Sequence, residues 1–486
     1  MPRIYIDGQP FEARTDQTVM QVADANGIYI PRLCWHPQLS IAGNCRLCVV
    51  QVEGRSWVEI SCNMPVTEDL RVLTDTELVR AHRKVTLQFL TLNHPVDCGI
   101  CDKAGECTLQ DYHVAYNGEA STSLERKVSA TKFYSLGQRI TLDNERCVLC
   151  TRCVRFTREV SKSNALGVLE RGDHSVIRPA GGADARPLDE DPYSDNVIDL
   201  CPVGALLSKD FLYKDRVWYL KATPSVCPGC ERGCTIDVWH RKPEWALRSV
   251  GTEHNARIAR VTPRENPDVN GPWVCNKARD LAQLLERPRA HAPMLKGREV
   301  ALPAALAAAR ALIDRARHPV ALVSSWGSDE ELEAFRAAFG ERFDCFVKAD
   351  HVPAEGEVVA DELLIRADKN PNGARARALF GERPVAFAPE ADLVLVWGEG
   401  CDFARLPRGM PVIFLNAFLA PENGHADVFL PTSTMLERAG HFTNFAGVVS
   451  AFAACFAKAP GTVDAQAVFE ALAVREVPEV PMGVAS

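Results

Sequence analysis

At 486 residues the chain exceeds what one hydrophobic core ordinarily holds, so several domains are expected. Its 47% hydrophobic and 24% charged residues exclude a largely disordered chain, and 55 Lys and Arg against 63 Asp and Glu, a formal charge of -8, argue against sequence-independent nucleic-acid binding. No run of eighteen apolar residues exists to span a bilayer, and Met1 leads directly into strand-like Ile4 to Ile6 with no secretory signal.

In chain order, Arg3 to Ile6 reads as a strand, Asp7-Gly8 as a hairpin turn, and Phe11 to Ala13 as the returning strand. Thr18 and Gln21 form a capping-box pair before a helix that Asn26-Gly27 ends. Next come Cys34, Cys45, Cys48 and Cys62, the first group among 18 cysteines. In a long chain with no secretory signal, metal ligation is a better reading of such a count than disulfides. The spacing is C-x10-C-x2-C-x13-C, a longer first gap than in plant-type [2Fe–2S] ferredoxins, and Gly43 lets a loop wrap closely. A structural zinc site is the alternative, although such sites usually pair two short hooks and this has one.

A helix capped by Asp75 should follow, with Leu78, His82, Val85, Phe89 and Leu92 on one face, stopping at Asn93-His94-Pro95. The second group, Cys98, Cys101 and Cys107, is one ligand short of a [4Fe–4S] site. His94 is assigned as the fourth ligand, with His113 as competitor. A neutral ligand in place of an anionic one would change the cluster's net charge and potential.

The third group, Cys147, Cys150 and Cys153, opens a bacterial ferredoxin motif, with Thr157 where its usual next cysteine would stand. Cys201-Pro202 supplies the distant fourth ligand, so one of two ancestral clusters is expected to survive. The stretch from about Pro179 to Ser194 reads as a surface excursion. The fourth group is Cys227, Cys230, Cys234 and Cys275. Its spacing also suits a zinc ribbon, but the run Gly271 to Arg279 resembles the closing segment of the [4Fe–4S] domain of molybdopterin oxidoreductases, with Ala278 replacing a glycine.

From Pro303 helices and strands alternate: a helix to Ala316, a strand at Val320 to Val323, a Ser328-capped helix to Phe339, then strands at Asp392 to Trp397 and Val412 to Leu415. This indicates a parallel α/β sheet. Gly398-x-Gly400 lacks the third glycine of a dinucleotide fingerprint and reads as a strand-end turn, so no NAD site is expected. Cys345, Cys401 and Cys455 are lone thiols, and the tail from Val477 is expected to fray.

This succession of sites resembles the largest iron–sulfur subunits, the G type, in the hydrophilic arm of the respiratory NADH:quinone oxidoreductases (complex I). Ala426 to Pro431, Gly440 to Gly447 and Leu364 to Asn372 resemble further segments of that family, with His441 and Val448 as departures. The resemblance implies a multidomain α+β and α/β chain: a ferredoxin-like β-grasp [2Fe–2S] domain (1–77), a one-histidine three-cysteine [4Fe–4S] domain (78–120) and a bacterial ferredoxin-like [4Fe–4S] domain (121–215). A four-cysteine [4Fe–4S] domain (216–290) and a shortened, inert molybdopterin-oxidoreductase-like domain (291–486) complete it.

The implied function is electron relay from an FMN subunit toward quinone, through one [2Fe–2S] and three [4Fe–4S] clusters and without a molybdenum cofactor. The first and third groups would be main relays, the His94 site on or near their path, and the fourth off it. Implied partners are the FMN/NADH-binding subunit, a small [2Fe–2S] subunit, and quinone-site and ferredoxin-like subunits. The implied location is peripheral, on the cytoplasmic side of the bacterial inner membrane, with membrane contact only through those partners. Alternatives are the iron–sulfur subunit of an NAD-linked formate dehydrogenase or hydrogenase, and a zinc-stabilised scaffold.

Overall fold

Asp7 and Gly8 both adopt positive φ, 50° and 81°, as a two-residue hairpin turn demands. In the computed structural model they fold β1 (Arg3–Ile6) back on β2 (Gln9–Glu12). The return strand begins earlier than expected, because so tight a turn sets Gln9 directly opposite Ile6. Residues 1–121, 125–181, 186–248 and 256–473 are described, in two units, Met1–Leu220 and Lys221–Ser486.

Thr18 and Gln21 cap α1 (Val19–Ala25) reciprocally: the Gln21 N–H donates to Thr18 Oγ1 at 3.3 Å, and the Thr18 N–H to Gln21 Oε1 at 2.8 Å. The helix buries Val19, Met20, Val22 and Ala23 in a core with Ile4, Ile6 and Val50, the last from β3 (Val49–Val52). With β4 (Val58–Ile60) and β5 (Arg71–Leu73) the sheet runs β2-β1-β5-β3-β4, and β1 pairs parallel with β5. This is the expected β-grasp arrangement.

Helix α2 (Glu77–Asn93) departs from expectation twice. Thr76 caps it, its Oγ1 accepting from the Val79 N–H at 3.2 Å, while Asp75 pairs with Arg80. Its buried residues are Val79, Arg83 and Leu87, whereas His82, Val85 and Phe89 are exposed. The face expected inward points outward. Arg83 takes an inward position because its guanidinium donates to the Leu47 and Val49 carbonyls, at 3.3 and 3.0 Å, which satisfies a buried cation's donors.

The rest of the first unit holds α3 (Thr108–Tyr112), β6 (Tyr134–Ser135), β7 (Ile140–Leu142), α4 (Arg152–Glu159), β8 (Leu166–Leu169), β9 (Val176–Pro179), α5 (Asn196–Leu200) and β10 (Leu206–Ser208). The strands form the sheet β10-β7-β6 and the hairpin β8-β9. Of the stretch read as a surface excursion, residues 182–185 lie outside the described residues. Leu188, Asp191, Tyr193 and Ser194 are buried rather than superficial.

In the second unit β11 (Leu220–Val226), β12 (Thr235–Arg241) and β13 (Ile258–Pro263) form one sheet, followed by α6 (Asn276–Arg279) and α7 (Leu281–Leu285). Then come β14 (Met294–Leu295), β15 (Arg298–Glu299), α8 (Leu302–Arg315), β16 (Pro319–Ser324), α9 (Asp329–Phe339), β17 (Asp344–Lys348), α10 (Gly373–Phe380), β18 (Leu393–Trp397), β19 (Val412–Asn416), α11 (Pro421–His425) and β20 (Val428–Pro431). A hairpin of β21 (Gly440–Thr443) and β22 (Val449–Phe452) and the helix α12 (Ala465–Ala473) complete the chain's described elements.

The seven-stranded sheet runs β15-β14-β20-β19-β18-β16-β17, parallel from β20 to β17, with β14 and β15 added antiparallel at one edge. Ala321 and Val323 of β16 pack on one face with Phe335, Phe339 and Phe469, while Val320 and Leu322 pack on the other with Phe346, Phe414 and Phe429. Burial on both faces explains why these strands read as unbroken apolar runs. Each such ring stabilises the core by roughly 1.5–3 kcal/mol. The expected capping box at Ser328 and Glu331 is present. Gly398 and Gly400 turn the chain sharply after β18 with φ of 80° and 79°, as read. The tail from Val477 lies outside the described residues.

Candidate cluster sites

The first group sits where the loop after α1 enters β3. Cys34, Cys45, Cys48 and Cys62 are all buried. Gly43 and Arg46 take left-handed φ, 62° and 58°, which bends the loop around them. Cys62 lies in a single turn after β4, tied back by the Ser61 hydroxyl donating to the Cys48 carbonyl at 2.7 Å. The thiols associate in two pairs, Cys34 with Cys45 and Cys48 with Cys62. The hydrogen bond from Cys34 pulls Cys45 down to about 5 despite burial, helped by the Leu47 and Leu33 N–H groups. Cys48 is lowered in the same way by Cys62, and Cys34 and Cys62 are correspondingly raised.

The third group is built on α4. Leu149 and Thr151, at φ 48° and 58°, coil the backbone so that Cys147, Cys150 and Cys153 turn inward, and Cys201 closes the set from the end of α5. Burial, then the charges of Cys150, Cys147 and Cys201, push the Cys153 thiol well up. The Leu149 N–H approaches Cys147 Sγ at 3.4 Å. Thr157, where another ligand would stand in a two-cluster ferredoxin, is fully buried and donates to the Val154 carbonyl at 3.1 Å.

In the fourth group Cys227 follows β11 and Cys234 precedes β12, joined by the Cys227 N–H donating to the Cys234 carbonyl at 2.8 Å. Cys275 caps α6. Burial and the charge of Cys230 push the Cys275 thiol up to about 11, opposed by the Ala278 and Lys277 N–H groups. The Gly229 N–H approaches Cys227 Sγ at 3.4 Å. Lys277 is ion-paired with Glu357.

The second group is the least enclosed. Cys98 is exposed, Cys101 buried and Cys107 half-buried. Burial raises both Cys101 and Cys107, Cys107 to about 11; Cys101 also feels the charge of Cys98, and Cys107 that of Cys101. Arg216 donates to the Cys101 and Gly99 carbonyls at 2.5 and 2.6 Å. A Cβ on Gly204, three residues past Cys201, would lie 2.1 Å from Cys101 Sγ, so only glycine leaves the thiol its place.

His94 caps the end of α2, and its main electrical neighbours are cations rather than thiols. Burial, then Arg146 and Lys127, lower its imidazole to about 4, with Asp97 opposing. The ring is therefore neutral at physiological pH, the form that can ligate a metal. It borders a cavity that Asn144, Cys147 and Leu149 also line. His113 exchanges a hydrogen bond with Asn117 through Nδ1 at 3.2 Å. Among the described residues, no three His, Cys, Asp or Glu side chains are arranged to hold a single metal ion.

Sulfur-rich donor sets, N–H groups directed at sulfur and the glycine cradle at Gly204 fit iron–sulfur clusters. Sequence reasoning passed over the polar side chains that brace these loops. Arg83, Arg152, Arg155 and Asn44 all donate to carbonyls of residues in or beside the cysteine motifs. The available signal was an arginine pair, Arg152 and Arg155, flanking Cys153.

Four family models match in succession: a 2Fe-2S iron-sulfur cluster binding domain over residues 2–77, and the NADH-ubiquinone oxidoreductase-G iron-sulfur binding region over 83–121. The ferredoxin-like domain of NADH-quinone oxidoreductase subunit 3 matches 137–207, and the molybdopterin oxidoreductase Fe4S4 domain 220–287. The mitochondrial NADH dehydrogenase [ubiquinone] iron-sulfur protein 1 of Solanum tuberosum is 39% identical over 60% of this chain and 37% of its own length. The NADH-ubiquinone oxidoreductase 75 kDa subunit of Reclinomonas americana is 38% identical over 61% of this chain and 40% of its own. The G subunit of the NADH-quinone oxidoreductase of Rickettsia felis is 35% identical over 61% and 41%.

A chain of an NAD+-reducing [NiFe]-hydrogenase, solved in its H2-reduced state, is 29% identical, with a TM-score of 0.40 over 44% of this chain and 91% of that one. The match takes in about two fifths of the length of the curated relatives. Over that matched portion, the chain is a homologue of the G, or 75 kDa, iron–sulfur subunits of NADH:quinone oxidoreductases.

Proposed function

We propose that this chain is an electron-transfer subunit of an NADH:quinone oxidoreductase, relaying single electrons from an FMN-bearing partner toward quinone. One observation carries the reading: the cysteine groups follow one another along the chain in the order of the matched iron–sulfur modules, including a region described for the G subunit itself. Cys34, Cys45, Cys48 and Cys62 would hold a [2Fe–2S] cluster. Three [4Fe–4S] clusters would be held by His94 with Cys98, Cys101 and Cys107; by Cys147, Cys150, Cys153 and Cys201; and by Cys227, Cys230, Cys234 and Cys275. Bound there, the clusters supply one-electron redox chemistry. The protein's residues fix their positions, exclude water through burial, and direct N–H groups at ligand sulfur.

Residues 1–77, 78–120, 121–215, 216–290 and 291–486 form the successive domains in this reading, the last without a molybdenum cofactor. Partners are the FMN subunit, a small [2Fe–2S] subunit, and quinone-site and ferredoxin-like subunits. In this reading attachment is peripheral, through those partners, on the cytoplasmic side. No helix of the described residues is long and apolar enough to cross a membrane.

Metal and acid-labile sulfide analysis of the purified chain tests this. About 14 iron atoms per chain are expected from one two-iron and three four-iron clusters. Stoichiometric molybdenum would favour a formate dehydrogenase subunit, and a colourless, zinc-filled protein a scaffold. Either overturns the proposal.

A further inference from the structure

Three side chains stitch the first cysteine group to the third, each joining positions at or beside predicted ligands. Asn44 Nδ2 donates to the Leu149 carbonyl at 3.0 Å. Arg152 donates to the Trp35 carbonyl at 2.6 Å and the Leu200 carbonyl at 3.3 Å. Arg155 goes further: one nitrogen, Nη2, donates to the carbonyls of Cys34 and Cys150, at 2.5 and 3.1 Å, while Nη1 donates to the Ser40 carbonyl. Two predicted ligand residues, far apart in sequence, thus meet at a single atom.

Arg155 is only 4% exposed, and among the described residues no carboxylate forms an ion pair with it. Glu159, one turn along α4, spends its oxygens on the Ser40 N–H and hydroxyl and on Arg158. Burial opposes the Arg155 charge, while the Cys34 and Cys150 thiols and, after them, the Glu159 carboxylate favour it. At the other junction, between the second and third groups, Arg146 is likewise buried but carries carboxylates of its own, Asp97 at 3.0 Å and Asp143 at 3.2 Å. A cation with its own counter-ions exerts little net field. One with no carboxylate in contact exerts more of its field on the negative charge nearest to it, and low local polarity strengthens it.

We propose that Arg155 is a shared positioning residue, which locks the Cys34 and Cys150 loops together and whose charge, held in contact with no carboxylate, raises the reduction potentials of both sites. This rests on the cluster-bearing reading above. Each site gains negative charge on reduction, so one buried cation between them favours the reduced state of both.

EPR-monitored redox titration of the full chain within its complex tests this, for the unaltered protein, Arg155→Gln, Arg155→Lys and the control Arg158→Gln, whose side chain is 61% exposed. Iron content and EPR signals of the unaltered protein test the cluster-bearing reading by themselves, before any variant is compared. In Arg155→Gln both the first and third sites should lose about tenfold in reduced-to-oxidised ratio at fixed potential, or about 59 mV for a one-electron couple. The fourth site, in the other unit, and the Arg158→Gln protein should be unchanged. Arg155→Lys keeps the charge without the planar fork, so both potentials should fall by less. A shift at one site only, or at neither, overturns the proposal. Should Arg155→Gln lose iron, loss confined to the first and third sites, with both potentials displaced together in Arg155→Lys, supports it. Loss from every site alike, or an Arg155→Lys titration identical to the unaltered protein, overturns it.

Discussion

A neutral imidazole at position 94 would leave its cluster one negative charge short of four-thiolate ligation. His94→Cys restores that charge, so the site should keep its iron and become harder to reduce. Redox titration with EPR reads the change, and signals and midpoint identical to the unaltered protein would remove His94 from the ligand set. The cysteine groups were legible in the sequence because spacing within a motif is local: Cys147, Cys150 and Cys201 all lie within electrostatic reach of Cys153. Arg155 was not, because its partners lie 121 and 5 residues away and no motif links them.

Among elements, those with local signals formed as read. The capping boxes at Thr18 and Ser328 and the turn at Asp7 depend only on neighbours in sequence. The orientation of α2 does not. Apolar spacing chose the stripe through Val85 and Phe89, yet Phe89 is 72% exposed, and tertiary demand for Arg83 beneath the Cys48 loop decided the face. The strand at Asp344–Lys348 also escaped notice, being charged at both ends.

The ends of β19 and β20 are tied by Arg289, which donates to the Ala417 carbonyl at 2.9 Å and the Thr432 carbonyl at 3.2 Å while gripping Glu437 through both oxygens at 2.9 Å. Burial would raise the Glu437 carboxyl, but the Arg289 fork and the Thr434 and Ala459 N–H groups hold it below the usual range. A lowered folded-state pKa means this stabilisation is present above the unfolded value, about 4.3, and is lost as pH falls through the folded one. Glu437→Gln should cost on the order of 3 kcal/mol at neutral pH, because Arg289 is left buried without its counter-charge. Chemical denaturation at pH 7 and pH 4 measures it, and the difference from the unaltered chain should narrow at the lower pH.

At the scale of the whole chain, predicted ligands and apolar core are unevenly shared. Three of four cysteine groups lie in the first unit, whereas the seven-stranded sheet closes around rings and aliphatic side chains with no predicted ligand among its strands. Where bound metal is part of folding energy, its removal destabilises the elements that hold it. Iron extraction should therefore release hydrogen-exchange protection in β3 and α4 while β16, β18 and β19 keep theirs. Mass-spectrometric exchange before and after extraction reads this, and equal loss in both units would contradict it. The order of modules was legible from the cysteine groups. The boundary expected between residues 215 and 216 falls close to the division at Leu220, whereas the packing of everything after it into one unit arises from long-range contacts that no stretch of sequence records.

Thr157 bears on how such a protein could change over generations. Its side chain is sealed from solvent and bonded to its own helix, so the position where a two-cluster ferredoxin carries a further ligand is part of the packing here. A cysteine restored there by one mutation would fit the space, being no larger than threonine, but would lack the remaining cysteines of a second four-ligand set. Going back would therefore take several cysteines at once rather than a single substitution.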